Sequence, residues 1–126
     1  MEIRSLDRDN LCAEYGVLTQ RLLPWPQLNT PFEGAWAVLE PGASTTPHSH
    51  HEFEIFIAAS GTATISCDGR LSPFVAGDTA YLSPGETHQI VNVGNEDFRM
   101  YSVWWDPQMT ERFHAAISEQ AVISQQ

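Results

Sequence analysis

Between Val17 and Trp105 the chain never sustains an apolar run longer than a single strand before glycine, proline, asparagine or aspartate interrupts it. No other feature constrains the fold as much. The pattern reads as an all-β sandwich or barrel built from short strands. Expected strands are 17–23, closed by Pro24-Trp25-Pro26; 35–40, ended by Pro41-Gly42; 48–58; 62–67; 79–82; 88–93; and 98–105. Asp68-Gly69 has the composition of a tight hairpin turn, because glycine accepts positive φ without steric penalty. Asp106-Pro107 stops the last strand. Beyond it Met109, Phe113, Ala116 and Ile117 recur at helical spacing, so a short C-terminal helix is expected over about 108–120, with residues 124–126 fraying.

At 126 residues and 42% hydrophobic content, the chain is expected to form one domain with a real core. A formal charge of −10 with only six Lys and Arg argues against nucleic acid or an anionic membrane surface as partner. No segment approaches the roughly 20 apolar residues of a membrane span. The N-terminal Met1-Glu2-Ile3-Arg4-Ser5 lacks the apolar stretch of a secretion signal, and a cytoplasmic location is expected. Cys12 and Cys67, far apart in such a chain, are then expected to be free thiols.

The chemistry is concentrated in His48-Ser49-His50, with Glu54 four residues on and His88 in a distant segment. Two histidines one residue apart project from the same face of a strand, so both imidazoles can reach one ion. Three neutral imidazoles and one carboxylate can bind a first-row divalent metal and leave positions open for a reactant. His51 breaks the period-two pattern and is expected to point outward or to support the loop. His114, in the C-terminal helix, reads as a surface residue.

The segment from Gly42 to Gly61, containing Pro47-His48-Ser49-His50 and Glu54, resembles the first signature of the cupin family. The segment Gly77 to Asn92 resembles the second, matching at Gly77, Gly85, His88 and Asn92 and departing at Ser83, where cupins usually carry proline. The likeness runs from about Gly34 to Trp105. It implies a double-stranded β-helix, a jelly-roll-like barrel, preceded by an N-terminal strand region (1–33) and followed by the helix. Carried over residue by residue, it also implies His48, His50, Glu54 and His88 as ligands of a metal in the barrel mouth. Nitrogen and oxygen ligands fit iron(II), manganese, nickel, copper or zinc. Cupins similar in having three histidines and one glutamate include many dioxygenases, which favours iron(II), with O₂ and a small-molecule substrate as reactants. Glu54 could then also act as a proton acceptor and is the candidate catalytic residue.

For the substrate, Arg21 on the first strand and Arg99 with Tyr101 on the last are candidates to anchor a carboxylate, for instance of an amino acid or thiol, if they face inward. The parity of the last strand leaves this open: Phe98, Met100 and Trp104 form its more apolar face and Arg99, Tyr101, Val103 and Trp105 the other. A non-redox isomerase, cyclase or lyase, or a non-catalytic ligand-binding cupin, remains as an alternative. The resemblance implies a homodimer, since cupins often pair through their N-terminal strands, and the segment from Leu18 to Trp25 offers apolar surface for that; an outward member of the Trp104-Trp105 pair needs a cover, either the C-terminal helix or a second subunit.

Overall fold

The computed structural model describes residues 1–124; of the fraying expected at residues 124–126, Ser124 instead ends the C-terminal helix, and residues 125 and 126 lie outside the described part. Among the described residues nine strands form two sheets. They are β1 (Cys12–Glu14), β2 (Val17–Arg21), β3 (Glu33–Leu39), β4 (Phe53–Ser60), β5 (Thr62–Cys67), β6 (Arg70–Val75), β7 (Thr79–Leu82), β8 (His88–Asn92) and β9 (Phe98–Trp105), followed by helix α1 (Pro107–Ser124). The larger sheet has the order β1-β2-β3-β9-β4-β7 and the smaller β6-β5-β8, and each pairing is antiparallel. The jelly-roll-like all-β architecture with one C-terminal helix is as expected. Among the described residues no helix is long and apolar enough to cross a membrane.

Side chains alternate across each strand, so every second residue faces between the sheets. The inward rows are Ala37 and Leu39 on β3, Phe56 and Ala58 on β4, Ala63 and Ile65 on β5, Ile90 on β8, and Phe98 and Met100 on β9, all buried in one core cluster. Following the same rows toward one end of the sandwich, the chemistry changes. Below Phe56 comes Glu54, below Ile90 comes His88, and beyond Met100 comes Ser102, and each of these is buried as well. Strand alternation alone therefore delivers a carboxylate, an imidazole and a hydroxyl to one place in the interior.

Two strands are absent from the sequence reading. β1 is three residues long, too short for a recognisable alternation. β6 contains Pro73 and buries only Phe74 of its six residues. It is an edge strand of the smaller sheet, the position where a proline costs no ladder hydrogen bond. Asp68 and Gly69 form the expected two-residue turn between β5 and β6, with φ of 48° and 83°. The strand expected from His48 begins only at Phe53. Residues 49–52 are irregular, and His48 is held instead by an isolated bridge to His88. His48 N–H donates to His88 O at 3.3 Å and His88 N–H to His48 O at 3.0 Å.

Gly61, between β4 and β5, has φ of 95° and no room for a side chain, since a Cβ there would lie 2.9 Å from Asp97 O and 3.0 Å from Phe98 Cα. Both neighbours are backbone and cannot swing aside. Gly61→Ala is expected to lower stability by about 2 kcal/mol, combining left-handed strain with the clash. Chemical denaturation checks this: a midpoint unchanged from wild type would mean that the turn can rearrange.

Candidate metal centre

His48, His50 and His88 come from the 44–52 segment and the start of β8, and their ligand atoms all lie within 4.8 Å of one another. Their ring centroids are 5.5 Å (His48 to His50), 4.6 Å (His48 to His88) and 5.1 Å (His50 to His88) apart. The two loop histidines do not share a strand face, contrary to the spacing argument. They converge because the bridge to His88 fixes the first, and Gly85 N–H, donating to His50 O at 2.9 Å, fixes the second.

Each ring is oriented by its own backbone. Nδ1 lies 2.8 Å from Thr46 O in His48, 3.0 Å from Glu52 O in His50 and 3.2 Å from Glu86 O in His88. A carbonyl only accepts, so Nδ1 carries the proton and Nε2 of His48 and His88 is left with a lone pair, while Nε2 of His50 faces the Glu54 carboxylate. Burial, then repulsion from His48, pushes the His88 pKa down to about 4, which keeps that ring neutral at physiological pH. His88 Nε2 is buried without a hydrogen-bond partner. An orphaned acceptor in the interior carries a penalty of about 1–3 kcal/mol unless something satisfies it.

Glu54 stands at the edge of the trio. Its Oε1 is 2.9 Å from His50 Nε2 and 3.6 Å from His88 Nε2, and its Oε2 accepts the Ser102 hydroxyl. Adjacent ligand atoms on one octahedral ion, each about 2.1 Å from it, are about 3 Å apart. The Glu54–His50 separation is of that size. A bound divalent ion would satisfy the His88 nitrogen, so the donor set fits a metal. Tyr15 stacks on the His48 ring at 4.9 Å, and Phe56 meets His88 edge-on at 5.7 Å.

His51 turns away from the centre, with a side chain 73% exposed. Its Nε2 lies 2.9 Å from Asp106 Oδ2, and the other carboxylate oxygen of buried Asp106 accepts from Met109 N–H at the start of α1. The ligand loop is thereby tied to the helix. The two cysteines are free. Cys67 pairs with His88 across the β5–β8 ladder, but its thiol donates to Glu86 Oε2 at 2.7 Å. Burial, reinforced by that carboxylate, pushes its pKa up to about 11, so it offers no thiolate.

His48 and His50, with Glu54, open onto a cavity of about 370 Å³ shared with Arg21, Glu14 and Trp104, while His88 lies buried behind them. Of the three candidate substrate residues, only Arg21 lines it. Arg99 and Tyr101 lie on the opposite face of β9 from Met100, Ser102 and Trp104, which do line it. This corrects the suggestion that they face the substrate; Tyr101 instead packs edge-on against Trp36 at 5.1 Å. Arg21 is ion-paired, its Nη2 being 2.6 Å from Glu14 Oε1, and that contact holds the Glu14 carboxyl below the usual range. Glu14, Tyr15, Ser102 and Asp106 were not singled out from sequence. The adjacent tryptophans divide as alternation requires: Trp104 lines the cavity, and Trp105 stacks on Phe53 at 5.8 Å on the other face.

A jelly-roll-like barrel with three converging imidazoles at one end of its interior defines a metal-binding β-barrel class. The chain belongs to the cupin family, residues 35–104 matching the family's Cupin domain. It is similar to a Cupin 2 conserved barrel domain protein from Salinispora arenicola, 52% identical, covering 92% of this chain and 98% of that one with a TM-score of 0.88. The plu4264 protein of Photorhabdus luminescens is 38% identical over 92% and 97% of the two chains, with a TM-score of 0.89. An oxalate-binding protein of Thermotoga maritima is 38% identical over 66 residues. That match spans 52% of this chain and about half, 54%, of the relative's length.

Proposed function

We propose that this cupin is a metal-dependent enzyme acting on a small carboxylate-bearing metabolite, with iron(II) and O₂ as the favoured chemistry. The observation that carries the reading is the buried, partnerless Nε2 of His88, grouped with the ligand atoms of His48 and His50, which themselves line an accessible cavity. Glu54 would complete the ligand set with an anionic oxygen. When bound, iron(II) would supply coordination positions at which substrate and O₂ can meet. The chain's own residues bind and orient: the three backbone carbonyls hold the imidazoles, Ser102 holds Glu54, and Val17, Ala35, Ala37 and Phe56 wall the cavity with apolar surface that excludes water. Glu54, reached by both His50 and the Ser102 hydroxyl, is the group able to take a proton from substrate.

A carboxylate ligand has a second support, since the oxalate-binding relative handles one. That likeness equally favours a non-redox reaction or simple ligand binding, in which the ion polarises or holds a carboxylate without oxygen. Oxygen uptake by protein loaded anaerobically with iron(II), measured against a panel of amino acids, 2-oxoacids, thiols and diketones, separates the two. Uptake that requires both iron and one substrate is expected. Tight binding of zinc, nickel or manganese with no uptake from any substrate would move the assignment to the non-redox reading.

A further inference from the structure

We infer that the cavity selects a monocarboxylate with a planar apolar body, seated on Trp104, and discriminates against dicarboxylates such as oxalate. The inference rests on the metal-centred reading above and names its substrate class. Trp104 pairs with Glu54 across the β4–β9 ladder and lines the same cavity, so its indole lies beside the metal centre. Arg21 projects from β2, three strand positions away from β4 in the order β2-β3-β9-β4. At about 4.8 Å per step this is about 14 Å of sheet. Its guanidinium reaches back over the Trp104 ring, 5.4 Å from the centroid. Between the two ends the wall is largely apolar, with Val17, Ala35, Ala37 and Met100; Thr19 also lines it, but its hydroxyl is already engaged with Cys12 O and the Glu14 carboxylate. A ligand that fills this space presents an apolar body to Trp104, and aromatic faces prefer a planar one.

Charge determines the rest. The charged residues on the cavity wall, histidines aside, are Arg21 against Glu14, Glu52 and Glu54. The wall therefore carries an excess of two negative charges, which a divalent ion offsets. A monoanion adds one negative charge, whereas a dicarboxylate adds two in a confined space where water screens poorly. Arg21 does not relieve this, because Glu14 already occupies it through Nε and Nη2 contacts of 3.2 and 2.6 Å. A second carboxylate at that end would meet an Arg21–Glu14 pair of no net charge. The volume of about 370 Å³ also falls in the range of pockets that enclose ligands much larger than oxalate.

Calorimetric titration of the manganese(II)-loaded protein with phenylpyruvate, 2-oxoglutarate and oxalate tests this, with metal content measured on the same sample. Phenylpyruvate is expected to bind at least tenfold more tightly than either dicarboxylate. Trp104→Ala should lower its affinity about tenfold and Trp104→Phe should recover most of that loss. Glu14→Gln, which frees the guanidinium, should raise 2-oxoglutarate affinity about tenfold, a gain that a merely structural role for Glu14 would not produce. Manganese bound at full stoichiometry with oxalate or 2-oxoglutarate preferred, with none of the three acids bound, or with the preference unmoved by Glu14→Gln, would overturn the inference and leave the metal centre standing. A sample that takes up no metal would overturn both.

Discussion

Replacing His88 with alanine is expected to remove the divalent ion, taking metal content from about one per chain to near zero, because among the described residues it is the buried imidazole and the remaining histidines outside the trio, His51 and His114, are exposed. His88 is 2% exposed, lies on the inward row of β8 and is bridged through its backbone to His48. In wild type, an ion at a free concentration 100 times its Kd would stabilise the fold by about 2.7 kcal/mol, raising the melting temperature by about 10 °C for a domain of this size. In His88→Ala that metal-dependent rise is expected to vanish. Melting of the chelated proteins should differ far less, because the variant loses packing against Phe56 but also loses an unsatisfied nitrogen. His51→Ala serves as the contrast. It removes the tie to Asp106 but no ligand, so it should weaken metal binding by about tenfold while leaving the stoichiometry at one. Equal loss in the two variants would show that the loop, and not the imidazole set, determines binding.

Acid weakens the metal-free protein by about 3 kcal/mol between pH 6.5 and 4 through His88 alone. The ring's pKa falls from 6.5 to about 4 on folding, chiefly through burial. In that window the unfolded chain binds a proton that the folded chain refuses, so stability is full above about pH 6.5 and declines as pH falls toward 4. At about 1.4 kcal/mol per pH unit, the fall to about 4 sets the order of magnitude. Glu14 and Asp106, whose carboxyls are also held low by their partners, lose their contribution at lower pH. His51, raised by Asp106, acts with the opposite sign, its contribution being present in acid and lost as pH rises. Urea denaturation of chelated wild type and His88→Ala across this range isolates the histidine by difference. Parallel curves would mean that the ring is solvated or already charged.

The strands were legible wherever alternation ran for four residues or more: 62–67, 79–82 and 98–105 have the same limits in the sequence reading and in the structure. Pro73 concealed β6, since a proline argues against a strand until the strand is known to lie at an edge. The three histidines were legible as a set, but the reason given for their convergence was only partly right. A strand through residues 48–52 would have aimed His48 and His50 by periodicity, whereas main-chain bonds to β8 and Gly85 aim them instead. Arg21 was visible as a candidate cation, but its neutralisation by Glu14 was not, because the β1–β2 pairing that joins them involves a strand too short to be recognised. Arg99 and Tyr101 show the limit of a two-faced strand: sequence leaves its parity open, and only packing of Phe98, Met100 and Ser102 against the opposite sheet settles it.

The most direct test of the central claim is an anomalous-scattering map from crystals of the manganese(II)-loaded protein. The account predicts one peak in the barrel interior, about 2.1 Å from Nε2 of His48, His50 and His88, with each Nδ1 still facing its backbone carbonyl. A peak held by any other set of residues, or an interior with no peak at saturating metal, would contradict it.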